Sequence, residues 1–260
     1  MSKVNQKRAK GQGTLFKIHN KFVLSPKEVA IQGVSVTIKG KDEAYIKTHF
    51  SELVTESQKK AYEIYLQSEK ESWMKALPVY LQSAIKPDPD GKEVIEFLVN
   101  NFDEFDSYFL SLIQSRKPRA GSAFQYTLKE LFKKLNYPFK EEASVEGKPD
   151  FLLPGEKHYK ENAPDCIIFT IKTTTRERWK QILIEGRKGL GQFLGTMDNG
   201  ISENILKDML ANRINVVVPK NLKIDNEKYE KATNVLSFED FFTDYLDPAV
   251  DRWKRRGIIL

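Results

Sequence analysis

The sequence predicts an α/β protein in which a central mixed sheet is flanked by helices and preceded by a mainly helical part. Three observations carry this. Short apolar runs begin at Asp150 (Asp150-Phe151-Leu152-Leu153), end at Lys172 (Cys166 to Lys172) and recur at Ile214 to Val218. Each is bounded by turn signals and reads as a buried strand. The stretches before and between them repeat apolar residues at helical spacing, and the order helix, strand, strand, helix, helix, strand favours a mixed sheet. The 260 residues suffice for one large domain or two small ones.

Taken in order, residues 1–13 are polar and basic and read as a tail. From Leu15 to Lys41, apolar and polar residues alternate, as in Val34-Ser35-Val36-Thr37-Ile38, which reads as a small hairpin or irregular strands. From about Thr55 to Ile85 the period is helical, with Pro78 as a kink or break. Lys86-Pro87-Asp88-Pro89-Asp90-Gly91 is a strong loop signal. It divides the chain into an N-terminal part, residues 1–90, and a core, residues 91–260.

Val94 to Ile113 reads as one or two core helices, and Ser115 to Ser122 as a basic loop. In that loop Arg116, Lys117 and Arg119 suit phosphate contacts, helped by the free N–H groups of the next helix. An ordinary solvated loop is the competing reading. Phe124 to Leu135 is an amphipathic helix, Ile205 to Leu210 a further helix, and Phe238 to Tyr245 a short aromatic one. Arg252, Lys254, Arg255 and Arg256 form a basic tail.

Composition narrows the function classes. A net charge of +6 and a pI near 9.1 favour a polyanionic partner. The single cysteine, Cys166, excludes an internal disulfide, fits a reducing compartment and reads most simply as a small buried hydrophobe. No apolar run approaches the ~20 residues of a membrane span, and the basic N-terminus lacks the apolar stretch of a secretory signal. A cytoplasmic protein without a membrane partner is the expectation. His19, His49 and His158 are scattered, so neither a zinc site nor a His-based catalytic set is read. Gly186 to Gly191 lacks the Gly-Lys-Ser/Thr ending of a phosphate-binding loop.

If the strands at 150–153 and 166–172 pair, Asp150 and Lys172 meet at one edge of the sheet. A carboxylate beside an ammonium, with another acid nearby, suits Mg²⁺-dependent phosphodiester hydrolysis. Beyond Lys172 a helix begins with Arg176-Glu177-Arg178. Arginine can pair bidentately with guanine and glutamate can accept from cytosine, so the three suit G·C reading in the major groove. Thr174 and Glu177 also have capping-box spacing, which leaves a structural reading open. Glu185 lies roughly 10 Å further along the same helix.

The motifs Ser115-Arg116-Lys117-x-Arg119-Ala120-Gly121, Lys148-Pro149-Asp150-Phe151-Leu152 and Lys172-Thr173-Thr174-x-Arg176-Glu177-Arg178-Trp179-Lys180-Gln181-Ile182-Leu183-x-Glu185 occur in order. Together with Asn215 to Pro219, they resemble the type II restriction endonucleases of the EcoRII, SsoII and PspGI group, in the PD-(D/E)xK superfamily. The resemblance covers about residues 110–220. It implies a restriction-endonuclease-like core making Mg²⁺-dependent double-strand cuts in DNA at a short palindrome of the CCWGG or CCNGG type. Asp150 and Glu185 would bind metal, Lys172 would serve the attacking water, and Arg176, Glu177 and Arg178 would read bases. It also implies a prokaryotic, cytoplasmic homodimer that flips the central bases. Trp73 is the candidate to stack on them, against the plainer reading of a core tryptophan.

Two departures stand out. The superfamily's acid two residues before the lysine is here Thr170, so the group's acid falls to Glu185. The acid implied after Arg-Ala-Gly is here Gln125, unless Glu130 substitutes. The alternatives are another nuclease of the superfamily, acting in repair or on junctions, and an inactive sequence-specific DNA-binding protein.

Overall fold

The computed structural model describes residues 13–141, 143–145, 149–173 and 191–260. Among the described residues six helices precede the sheet: α1 (Thr14–His19), α2 (Pro26–Thr37), α3 (Glu43–Thr48), α4 (Phe50–Ala84), α5 (Gly91–Asn100) and α6 (Phe102–Lys134). The hairpin read from the alternation at 15–41 is therefore corrected to helix. Ser25 and Glu28 form a reciprocal capping box, with Pro26 in the first turn, and this starts α2 firmly. Val34 and Ile38 then point inward one turn apart, while Val36 is 59% exposed. Five residues of alternation fit either period, and the cap decides between them.

The basic loop at 115–122 is also corrected. It lies inside α6, with Pro118 in mid-helix. An interior proline costs about 3 kcal/mol. That cost is offset by burial on both sides, Tyr108 and Leu112 before it and Ala123, Phe124, Thr127 and Leu128 after it. The N–H groups expected at a helix start are therefore used within the helix. Pro78 likewise lies inside α4 without ending it.

The helices read as core at 94–113 bury only part of their apolar surface. Phe97 and Phe105 pack on a small cluster of Leu15, Phe16, Ala76, Tyr80, Tyr108 and Leu112. Val99, Phe102 and Ile113 are instead 70%, 66% and 61% exposed, with Ile95, Phe109 and Leu110 also exposed. Helical periodicity shows that a face needs cover, but does not say that its own chain supplies it.

The sheet has six strands among the described residues: β1 (Lys140–Glu141), β2 (Phe151–Leu153), β3 (Ile167–Ile171), β4 (Gly191–Gly195), β5 (Ile214–Val218) and β6 (Val235–Ser237). They lie in sequence order. The first two pairings are antiparallel and the remaining three parallel. β2, β3 and β5 match their sequence reading. β1 and β6 are two and three residues long and give no period to read. β4 hides behind its glycines. A Cβ at Gly195 would lie 2.6 Å from the Phe169 ring, so the missing side chain is what lets β4 pair beside that phenylalanine.

One sheet face carries Phe151, Leu153, Ile167, Phe169, Phe193 and Val217 and packs on α4, α6 and the C-terminal helices. The other carries Leu194, Val216 and Val218 and is covered by α8 (Glu203–Ala211) and Tyr229. α7 (Glu156–Asn162) precedes β3, and α9 (Lys220–Ile224) and α10 (Glu227–Lys231) precede β6. After β6 come α11 (Phe238–Phe241), a π-turn (Phe242–Leu246) and α12 (Asp247–Arg255). No helix among the described residues is long and apolar enough to cross a membrane.

Most of the basic tail is corrected to α12, from which Arg252 turns inward to Asp165, while exposed Arg256 just past the helix reaches back to the same acid. Asp165, 5% exposed, accepts from Arg252 Nε at 2.7 Å, Trp253 Nε1 at 3.2 Å and Arg256 Nη1 at 3.4 Å. His158 Nε2 lies 2.9 Å from the same carboxylate. Burial pushes the Asp165 pKa up, but the His158 and Arg252 hydrogen bonds outweigh it and hold the carboxyl below its ordinary value.

Replacing Asp165 with alanine should cost about 3 kcal/mol in urea denaturation at neutral pH, because it strands buried donors. A lowered carboxyl pKa contributes stability that is fully present above the unfolded value, near 4, and is lost as pH falls through the folded value. The gap between wild type and Asp165→Ala should therefore narrow on acidification from pH 6 to pH 2, measured as denaturation midpoints.

Candidate active site

The antiparallel register pairs Phe151 with Phe169 and Leu153 with Ile167. The residue before β2 and the residue after β3 therefore finish at the same end of the sheet. Asp150 and Lys172 occupy those positions, with Lys172 Nζ 3.7 Å from Asp150 Oδ2. Both side chains are only partly exposed. The pairing predicted from the two strands is realised.

Asp150 is held by more than the lysine. The Ile171 N–H donates to Oδ2 at 2.6 Å, and Gln125 Nε2 donates to Oδ1 at 2.9 Å. Lys172 is fixed through its backbone, whose N–H donates to the Gly195 carbonyl at 3.1 Å and continues the β3–β4 pairing. The carboxylate thus accepts hydrogen bonds from a strand and from α6 and faces the lysine, which fixes its direction.

α6 brings Gln125 there because one face of it lies on the sheet. Gly121 sits beside Thr173, the residue after Lys172, and Leu128 approaches Gly195. Phe132 packs its ring on Phe151 and Phe169. Residues 121, 125, 128 and 132 recur at three- and four-residue spacing and form a single stripe. Glu130, the other candidate for an acid here, pairs with Lys133 at 3.1 Å. It is Gln125 that reaches Asp150.

A hard divalent cation takes oxygen ligands, one or two carboxylates being completed by waters and phosphate oxygens. Asp150 fits as one of them. Among the described residues no three His, Cys, Asp or Glu side chains converge. Glu185, and the base-reading residues Arg176, Glu177 and Arg178, lie outside the described residues.

The other predicted site residues are placed away from this sheet end. Arg116 pairs with Glu69, its Nε donating to Oε2 at 3.2 Å, and the Tyr65 hydroxyl donates to the same carboxylate. Burial, then that bond, pushes the Tyr65 pKa up to about 12. Arg119 donates to the Leu24 carbonyl at 3.0 Å and to Asn20 Oδ1 at 3.2 Å. Both arginines thus tie α6 to the N-terminal helices, whereas Lys117 is exposed. Trp73 is partly buried, 5.1 Å from the Tyr108 ring centroid and 6.0 Å from that of Phe109.

The mixed sheet, the flanking helices and the Asp–Lys pair at one sheet end define the restriction-endonuclease-like fold. Solved structures share it. Ecl18kI, metal-depleted and in complex with uncleaved, modified DNA, superposes with a TM-score of 0.76 at 23% identity, covering 95% of this chain and 84% of that one. The complex of restriction endonuclease PspGI with substrate DNA gives 0.65 at 17% identity, covering 90% and 96%. Residues 90–242 match the EcoRII C terminal family, and the chain belongs to that family.

Type II restriction enzyme SsoII of Shigella sonnei is 30% identical over 151 residues, 53% of this chain and 48% of its own. Type II restriction enzyme EcoRII of Escherichia coli is 32% identical over 146 residues, 54% of this chain and 35% of its own. The matched region thus spans about half the length of the first relative and about a third of the second.

Sequence reasoning anticipates that Asp150 and Lys172 meet at one sheet end and singles out position 125. It misses the Ile171 N–H, which only the register reveals, and the close pass of Gly121 over Thr173. A Cβ at Gly121 would meet Thr173 Oγ1 at 3.5 Å, an ordinary contact. Glycine inside a helix costs about 1 kcal/mol against alanine. Gly121→Ala should therefore raise the denaturation free energy by about 0.5–1 kcal/mol, and Gly121→Leu should lower it by crowding Thr173.

Proposed function

We propose that the chain is a type II site-specific deoxyribonuclease. It would hydrolyse both strands of double-stranded DNA at a short palindrome of the CCWGG or CCNGG type, in the prokaryotic cytoplasm. The observation that carries this reading is the Asp150–Lys172 pair at one sheet end in a member of the EcoRII C terminal family. Type II restriction enzymes among its relatives support it.

Asp150 and Glu185 would hold the divalent cation, Mg²⁺ in our reading. When bound, such an ion polarises the phosphate and stabilises charge on the leaving oxygen. The chain's own groups do the rest. Ile171 N–H and Gln125 hold the Asp150 carboxylate in place at the sheet end. Lys172 Nζ, with three donors and a positive charge, holds the attacking water or the phosphate oxygen beside it. In-line attack on phosphorus breaks the bond to the 3′ oxygen and leaves a 5′-phosphate.

Arg176, Glu177 and Arg178 would read the G·C pairs. Among the three cations assigned to phosphates, exposed Lys117 fits best, since Arg116 and Arg119 already have partners in the fold. We assign stacking on flipped central bases to Trp73. That stacking requires it to loosen from Tyr108 and Phe109.

A palindrome implies a two-fold dimer in which each subunit cuts one strand. Residues 1–90 would supply further DNA and dimer contacts around the 91–260 nuclease core. The exposed apolar stripe of α5 and α6 suits such an interface, because large apolar patches on soluble proteins mark interaction sites. Sedimentation should give a dimer for the wild type and a monomer for Phe109→Asp combined with Ile113→Asp. A monomeric wild type, or an unaffected double variant, would remove the stripe from the interface.

Plasmid digestion with Mg²⁺ tests the activity. Wild type should give discrete fragments whose ends share one C/G-rich palindrome, and Lys172→Ala should lose at least 10²-fold in rate, in the range of removing a group that stabilises developing charge. Ragged ends or structure-dependent nicks point to a repair-type nuclease. Retained binding with no cleavage by either protein points to an inactive binder.

A further inference from the structure

The geometry points to Gln125 as a positioning residue that fixes the Asp150 carboxylate without a cation and limits how strongly the site binds one. This inference rests on the nuclease reading above. Three contacts surround the carboxylate. Gln125 Nε2 donates to Asp150 Oδ1 at 2.9 Å, Ile171 N–H donates to Oδ2 at 2.6 Å, and Lys172 Nζ faces Oδ2 at 3.7 Å. Each carboxylate oxygen therefore has a donor that belongs to the protein. Both hydrogen-bond donors sit on packed elements: Ile171 is the last residue of β3 and is buried, and Gln125 lies between buried Phe124 and Leu128 on α6.

An amide at position 125 does something a carboxylate there could not. Its nitrogen donates, so the distance to Asp150 is one of attraction. Two carboxylates at that distance repel and need a cation or another donor between them. The neutral amide also contributes no charge, and divalent-cation affinity rises with the number of charged ligands. The amide therefore trades cation affinity for a carboxylate that is already aimed. Gln125 touches neither substrate nor the reacting atoms in this account. It acts through Asp150.

The test uses the full chain without DNA. Mn²⁺ binding is followed by its electron paramagnetic resonance signal for wild type, Gln125→Glu and Gln125→Ala, and melting temperatures are taken with EDTA and with Mn²⁺. Gln125→Glu should bind Mn²⁺ on the order of 10-fold more tightly than wild type, as an added charged ligand requires. It should melt lower than wild type in EDTA and regain the loss when Mn²⁺ is added. Gln125→Ala should show neither the tighter binding nor the Mn²⁺-dependent recovery. A purely structural glutamine predicts equal Mn²⁺ affinity for Gln125→Glu and wild type and an EDTA loss that Mn²⁺ does not restore, and that result overturns the proposal. Plasmid digestion on the same preparations separates the two readings. Wild-type cleavage with no Mn²⁺ difference sinks only the role of Gln125, whereas the Mn²⁺ difference without wild-type cleavage sinks only the nuclease.

Discussion

Phe132 lies where the sheet meets the helices packed on one of its faces. Its ring is within 5.6–6.3 Å of the rings of Phe50, Phe151, Phe169 and Phe242 and of those of Tyr137 and Phe139. These come from α4, from β2 and β3, from the chain around β1 and from the C-terminal helices. Aromatic pairs at such separations add roughly 0.5–1.5 kcal/mol each beyond simple burial. Turning α6 on the sheet would break these ring contacts together. Gln125, two turns earlier on the same face, is then obliged to meet the end of β2, and Gly121 the end of β3. The position of the site is a consequence of core packing.

How much of this is legible in the sequence follows from the same physics. β2, β3 and β5 are buried, and a buried strand shows as an unbroken apolar run. Asp150 and Lys172 flank two such runs, so a polar residue at each apolar boundary marks the sheet end where they meet. β4 gives no such signal, because Gly195 is there to spare the Phe169 ring and not to make a turn. The alternation at 34–38 misleads because five residues do not separate a period of two from one of 3.6. The Ser25 cap that settles it lies nine residues earlier.

The basic segment at 115–122 misleads for a different reason. Proline, glycine and serine are loop residues only when nothing else holds the backbone. Here Leu112 on one side and Phe124 on the other are both buried, and Arg116 and Arg119 reach across to Glu69, Asn20 and Leu24. Charges that look solvated in one dimension are ties between helices in three. Asp165 repeats the lesson at the other end, drawing Arg252 and Arg256 of an apparent basic tail into the fold.

The run of α6 through Pro118 also divides the helix into two arms with a joint between them. Its 33 residues extend about 50 Å, with the exposed apolar end at Phe102 and the sheet-packed end beyond Gly121. Proline removes one rung of the hydrogen-bond ladder and makes that point the softest along the rod. Bending there by 5° would move Phe102 by about 2 Å, from the 1.5 Å rise per residue, while Gln125 stays where the packing of Leu128 and Phe132 holds it. The outer arm can therefore adjust to another surface without disturbing the aim of the inner one, which reacting groups tolerate only to about 1 Å.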